Sequence, residues 1–338
     1  MTQSLKETAK ALVEAGRGIL AADESTPTIK KRFDSIGVES TEELRRAYRD
    51  MLFSAPGMER YISGVILFEE TLFQSSADGT PFAKLLADKG VVPGIKVDKG
   101  AKPLAGHPGE TVTEGLDGLR DRLANYYKAG ARFAKWRAVI DIADGIPSKY
   151  CIEANAHALA RYAALCQEAD IVPIVEPEVL MDGDHNIDRC EEVTGATLDA
   201  VFKQLAAHGV DLEGILLKPN MVISGKGCAQ QASVQQVAEY TMRCLLKHVP
   251  AAVPGIVFLS GGQSDELATA HLDAMNRIGG NPWALSFSYG RALQAPALKA
   301  WGGKTENVEA GAAAFLKRAQ CNSAAATGSY TADMEQAA

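Results

Sequence analysis

Eight short apolar runs recur along the chain, each followed by a longer segment whose apolar positions return every three or four residues. The runs extend from Gly18 to Ser25, Gly64 to Thr71, Gly94 to Lys99, Phe133 to Val139, Ile171 to Val179, Gly214 to Met221, Gly255 to Gly261 and Trp283 to Gly290. Strand then helix, eight times over, predicts an α/β fold of the (β/α)8 (TIM) barrel type. An open doubly wound sheet also alternates strand and helix, but its first turn carries GxGxxG, and GILAADES in the first run has none. One domain is expected over residues 1–338, with the barrel at about 18–300 and a C-terminal helix and tail at about 305–338. The excess over a common barrel of about 250 residues is assigned to three parts. These are an N-terminal helix carrying Leu5, Ala9, Leu12 and Val13 on one face, a long first strand-to-helix connection, and a C-terminal helix near Glu306 to Gln320. The tail after Asn322, rich in Ala, Ser and Thr, is expected to be mobile. Thr26 followed by Pro27 suits an N-cap and first helical position, and Ser264 before Asp265 and Glu266 suits another helix start.

Charge and cysteine content narrow the class. A net charge of -7 with a pI near 5.5 argues against a general nucleic-acid binder and against adhesion to anionic membranes. No run approaches 18 consecutive apolar residues, and the N-terminus lacks the apolar core of a secretion signal, so a cytoplasmic protein is expected. Six cysteines without a CxxC pair fit reduced thiols rather than a disulfide framework.

Residues two apart on a strand share a face. On that rule Asp23 pairs with Ser25, Lys96 with Asp98, Lys135 with Arg137, Glu176 with Glu178, and Lys218 with Asn220. Barrel interiors are ordinarily filled by branched apolar side chains, so charged pairs near the carboxyl ends of several strands point to one shared polar site. Each residue taken singly has a plainer reading: Asp23 as a helix cap, the glutamates flanking Pro177 as loop carboxylates, Lys135 and Arg137 as structural ion pairs, Lys218 as a strand lysine reaching for water. Together they favour chemistry. Lys218 follows the apolar Ile215, Leu216 and Leu217, where an ammonium is poorly solvated. An ordinary lysine has roughly one amine in 2,500 neutral at pH 7, and burial beside a second cation raises that fraction. Lys135 is expected to be that cation, and Glu176 to supply or accept a proton. Two anion sites are expected as well. One joins Ser260, Gly261 and Gly262 to Gly290 and Arg291, and the other joins Lys96 and Arg137 to the Ser25 to Arg32 segment. Two anion sites flanking an amine fit a substrate with a phosphate at each end and a carbonyl between.

At these residues the chain resembles the Schiff-base (class I) fructose-1,6-bisphosphate aldolases. The matching stretches are GILAADES, GVILFEET, GIKVDKG, FAKWR, IVPIVEPE, LLKPNM, FLSGGQS and FSYGRALQ followed by ALKAWGG, in the family's order. The resemblance implies a metal-independent lyase without a cofactor, usually a homotetramer, acting on small sugar phosphates in glycolysis and gluconeogenesis. At matching positions Lys218 resembles the lysine that forms the iminium with the ketone. Glu176 resembles the acid/base that expels water from the carbinolamine, and Asp23 the group that takes the C4 hydroxyl proton as the C3–C4 bond breaks. Lys135 and Glu178 resemble supporting residues that tune the lysine and relay protons. Ser260, Gly261, Gly290 and Arg291 match the C1-phosphate site. Ser25, Thr28, Lys96 and Arg137, with Arg32 nearby, match the other phosphate site, Thr28 standing where serine is common. Animal members end in a longer tail with a terminal tyrosine that protonates the enamine, and Tyr330 matches an internal position of that tail rather than its end. The rivals are metal-dependent aldol cleavage, for which the six histidines are scattered and only His185 is tempting, a Schiff-base aldolase of another bisphosphate such as sedoheptulose 1,7-bisphosphate, and an added role as a protein-binding scaffold.

Overall fold

The computed structural model describes residues 4–336. Helix α1 (Leu5–Leu12) opens on a capping box in which Ser4 accepts from the Glu7 amide and the Glu7 carboxylate accepts from the Ser4 amide. There follow β1 (Gly18–Ala22), α2 (Thr26–Asp34) and α3 (Glu42–Ser54); β2 (Ile62–Leu67), α4 (Glu69–Leu72) and α5 (Phe82–Asp88); β3 (Val92–Lys96), a small hairpin at residues 101–113, and α6 (Leu119–Lys128). Then come β4 (Phe133–Ile140) and α7 (Lys149–Glu168); β5 (Val172–Val179) and α8 (Ile187–Ala207); β6 (Leu216–Leu217) and α9 (Val234–His248); β7 (Gly255–Phe258) and α10 (Asp265–Ile278); β8 (Ala284–Tyr289) and α11 (Arg291–Trp301). Each barrel strand pairs in parallel with the next, and β8 pairs with β1, which closes the barrel. Helices α12 (Val308–Ala325) and α13 (Asp333–Gln336) complete the described chain. Among the described residues no helix is long and apolar enough to cross a membrane.

Strand alternation separates two cores. Ile19, Ala21, Ile66, Phe133, Val172, Ile174, Leu216 and Val257 form a cluster inside the barrel, and Ala9, Leu12 and Val13 from the N-terminal segment close it from below. Leu20, Ala22, Val65, Leu67, Ala134 and Trp136 belong instead to the larger cluster between barrel and helices. The floor is tight enough to dictate glycine. A Cβ on Gly94 would come within 2.3 Å of the Phe133 ring, and one on Gly255 within 2.6 Å of Val13.

Several expectations needed correction. The sixth strand is only Leu216–Leu217: residues 212–214 form a single 3-10 turn, and Pro219 has no N–H to extend the ladder, although the Lys218 amide still donates to the Val175 carbonyl at 2.8 Å. Strand β2 starts at Ile62, and Glu69 to Thr71, expected in it, begin α4. The cap of α2 is Ser25 rather than Thr26, whereas Ser264 does cap α10, accepting from the Leu267 amide at 3.1 Å. Glu176 and Glu178 lie within β5 and are buried, so they are strand rather than loop carboxylates.

The tail, expected to be free after Asn322, is seated on α10 and α12. Asn322 is fully buried and accepts from Thr269 Oγ1 at 2.8 Å; the Tyr330 amide donates to Asp273 Oδ1 at 2.9 Å, and Arg277 donates to the Tyr330 carbonyl at 2.8 Å. A composition of small polar residues did not reveal these specific partners, because they lie on α10, some fifty residues earlier. The last two residues of the expected tail fall outside the described residues.

Candidate active site

The inward positions just above the apolar floor carry the charge. Asp23 follows Ile19 and Ala21 on the inner side of β1; Lys135 follows Phe133 on β4; Glu176 follows Val172 and Ile174 on β5; Lys218 follows Leu216 on β6. Period two therefore lifts four ionisable side chains to one level. Lys135 is their hub. Its Nζ lies 2.7 Å from Asp23 Oδ2, 3.5 Å from Glu176 Oε2 and 4.0 Å from Asp98 Oδ2. Lys218 Nζ lies 3.1 Å from Glu176 Oε1. Glu176 thus stands between the two ammonium groups, and its buried Oε2 accepts no hydrogen bond.

These charges hold one another in place. Burial on its own would raise the pKa of Asp23, but the ammonium groups of Lys135, Lys218 and Lys96 overcome it and hold the carboxyl well below the usual range. Burial works equally against the Lys135 ammonium, and Asp23, Glu176 and Asp98 outweigh it, so Lys135 is a fixed cation, raised above the ordinary lysine range. Lys135 is therefore held as a cation, and the direct partner of Lys218 is a carboxylate, Glu176.

The remaining expected residues lie at the carboxyl ends of other strands. Lys96 Nζ reaches Asp98 Oδ1 at 2.7 Å and Arg137 pairs with Glu178 on neighbouring strands, and past β1 Ser25 Oγ lies 3.1 Å from Thr28 Oγ1. Ser260 and Gly261 end the β7 run, Gly290 precedes α11 after the neighbouring β8, and Arg291 donates to Asp265 Oδ1 at 2.8 Å and to the Gln263 carbonyl. Gly262 has φ +70°, a left-handed turn that suits glycine. Arg32, expected near Lys96 and Arg137, turns elsewhere. It pairs with Glu24 and, with Arg291, Gln294 and Lys299, lines a cleft of about 430 Å³.

Sequence reasoning missed four supports. Asp98 was seen only as the partner of Lys96, yet it also accepts from the Arg137 amide at 3.3 Å and the Gly100 amide at 3.1 Å, tying β3 to β4. Glu24 sits on the face of β1 opposite Asp23, where alternation predicts an apolar residue. It is buried and held by Arg32, by Arg49 at 3.5 Å and by Gln294 at 2.8 Å, and an acid on the wrong face was the signal available. Arg49, 1% exposed, also donates to the Ala22 and Glu24 carbonyls and so fixes the end of β1 beside Asp23. His271 lies 2.5 Å from Gln263 Oε1, and burial pushes its pKa down to about 4. It is a neutral prop behind the glycine loop, and no sequence signal distinguished it from the other histidines. His185, the tempting metal ligand, is buried with both ring nitrogens unpartnered, and among the described residues no three His, Cys, Asp or Glu side chains gather in a metal-binding arrangement.

Known proteins carry the same design. The family described as fructose-bisphosphate aldolase class-I matches residues 4–338. A probable fructose-bisphosphate aldolase class 1 of Xanthomonas campestris pv. campestris is 61% identical over 329 residues, covering 97% of this chain and 98% of that protein. The cytosolic fructose-bisphosphate aldolase 6 of Arabidopsis thaliana is 59% identical, covering 94% of this chain and 89% of its own. Among solved structures, the fructose-bisphosphate aldolase from Plasmodium falciparum, crystallised in complex with TRAP and a small-molecule inhibitor, superposes with a TM-score of 0.96 at 53% identity, covering 97% of this chain and 95% of that one. A complete barrel, a lysine at the end of its sixth strand and matches of this extent lead to one assignment: the chain belongs to the class-I fructose-bisphosphate aldolases, a family of lyases.

Proposed function

We propose that the protein reversibly cleaves D-fructose 1,6-bisphosphate to dihydroxyacetone phosphate and D-glyceraldehyde 3-phosphate through a Schiff base on Lys218, serving glycolysis and gluconeogenesis. The observation that carries this reading is the buried contact of Lys218 Nζ with Glu176 Oε1 at 3.1 Å. A proton moved across it leaves a neutral amine to attack the ketone and a carboxylic acid to protonate the departing carbinolamine hydroxyl. The protonated iminium then accepts the electron pair of the C3–C4 bond as Asp23 takes the C4 hydroxyl proton. Asp23 is suited to this by its position beside Lys135, whose fixed charge balances the carboxylate before transfer. Lys135 and Glu178 complete the proton relay. Protonation of the enamine and hydrolysis of the iminium return the lysine.

The rim residues hold the phosphates. Ser260, Gly261, Gly290 and Arg291 take the one at C1 through backbone N–H groups, a hydroxyl and a guanidinium, and Ser25, Thr28, Lys96 and Arg137 take the other, with Arg32 beside the Arg291 cleft. The names of the relatives favour the six-carbon bisphosphate over the seven-carbon one. A cytoplasmic homotetramer without metal or cofactor completes the reading, in keeping with a relative named cytosolic. Borohydride reduction in the presence of dihydroxyacetone phosphate tests it. Peptide mapping is expected to find the adduct on Lys218, and an adduct elsewhere, or none, removes the nucleophile.

A further inference from the structure

The guanidinium of Arg318 is buried in α12 at the place where four elements meet. Its Nη2 donates to the Asp265 carbonyl at 2.8 Å and to Thr269 Oγ1 at 2.5 Å, both on α10, and its Nε donates to the Ala292 carbonyl of α11 at 3.4 Å. Its charge is met by Glu335 of α13, which accepts from Nη1 with both carboxylate oxygens, at 2.5 and 2.6 Å. Tyr330 steadies that carboxylate, its hydroxyl donating to Oε1 at 3.0 Å, and is itself anchored to α10 through Asp273 and Arg277. Asp265 and Ala292 are the residues that matter for the rim. The side chain of Asp265 accepts from Arg291 at 2.8 Å, and Ala292 follows Arg291 in the first turn of α11. Arg318, held by the terminal segment, and the rim arginine therefore grip the same residue of α10, one by its backbone and the other by its side chain.

We propose that Glu335, seated by Tyr330, is a positioning residue for anion binding at Arg291, acting through Arg318. A buried guanidinium without a carboxylate must seek water or another partner. On losing Glu335 it pulls away from the first turns of α10 and α11, and Arg291 loses its fixed approach to the anion. The inference rests on the reading of Arg291 as a phosphate ligand and adds to that reading the element that aims it.

The test uses the full chain, with Glu335→Gln, Tyr330→Phe, Arg291→Ala and a chain ending at Ser329. Glu335→Gln and the truncation are expected to raise KM for the bisphosphate about three- to tenfold while turnover stays within about threefold, and to weaken competitive inhibition by inorganic phosphate in parallel. Tyr330→Phe keeps the carboxylate and is expected to move KM in the same direction by less, which provides an answer even if Glu335→Gln folds poorly. Combined with Arg291→Ala, the Glu335 change should add nothing further to KM. If Arg291→Ala raises KM and Glu335→Gln lowers only the thermal midpoint, the segment is merely structural and the inference falls while the phosphate reading stands. If Arg291→Ala leaves KM and phosphate inhibition unchanged, the phosphate reading itself fails and takes the inference with it.

Discussion

The lower and upper halves of the barrel interior are built from the same strands, on the same face, often two residues apart, and they obey opposite rules. Below lie Ile19, Phe133, Ile174 and Leu216; above them lie Asp23, Lys135, Glu176 and Lys218. The lower layer follows volume, where each methylene counts and glycine is required wherever a ring leans on the neighbouring strand. The upper layer follows charge balance, where every ammonium has a carboxylate within 4.0 Å. A step of two residues along one strand thus separates an apolar packing position from one that carries a buried charge.

The contrast breaks most sharply at Leu216 and Lys218. Replacing Lys218 by alanine is expected to abolish cleavage and the borohydride adduct. Replacing Leu216 by alanine is expected to lower stability by about 2–5 kcal/mol, with turnover of the folded fraction nearly intact. Paired thermal melts and kinetics decide, and a Leu216 change that kills turnover in folded protein would erase the boundary between the layers. Asp23→Asn comes next. It removes the proposed base and the partner of Lys135, and turnover should fall about 10²- to 10⁴-fold; a fall under tenfold would move the base elsewhere.

Arg291→Ala tests the rim, where charges are more exposed. KM should rise roughly 10- to 150-fold, the range for a lost charge-assisted contact of about 1.5–3 kcal/mol, with a smaller change in turnover. An unchanged KM would remove Arg291 from the site. The smallest effect concerns His271. Its pKa falls from an ordinary 6.5 to about 4 on folding, so the unfolded chain binds more protons between those values. The stability it contributes is complete above 6.5 and is lost as pH falls toward 4. His271→Gln should flatten the decline of the thermal midpoint across that window, and an unaltered slope would place the cause in other groups; Asp23 is not among them, because its depressed pKa acts only below its ordinary 3.8.

What the sequence made legible follows from local rules. Alternation on strands places Asp23, Lys135, Glu176 and Lys218 on the inner face because each reads its own strand, and the strands are parallel, so that their carboxyl ends meet at one end of the barrel. Glu24 showed only as an acid on the wrong face and Arg49 not at all, because their partners lie on elements met only once the helices pack, and His271 was illegible because its partner Gln263, eight residues earlier, stands in the loop before its helix. The seated tail belongs to the same class: Tyr330 and Glu335 gain meaning from Asp273 and Arg318, and small polar residues advertise nothing. The short β6 was hidden for a different reason, since an apolar run ending in proline looks like a full strand until the ladder is counted.

One consequence follows from helix α1. With Leu12 and Val13 wedged against Gly64 and Gly255, the barrel floor below Lys218 is stopped, so molecules bound for the lysine come from the carboxyl ends of the strands. Under the Schiff-base reading its traffic forms a queue. The fragment that carries no bond to the lysine departs first, and the tethered one follows only after water has cut it loose. In the direction of synthesis the order of boarding is reversed, with the ketone fragment entering before the aldehyde. The order of departure is thus set by the tether to Lys218, and the stopper at the far end of the molecule sends both fragments out the same way.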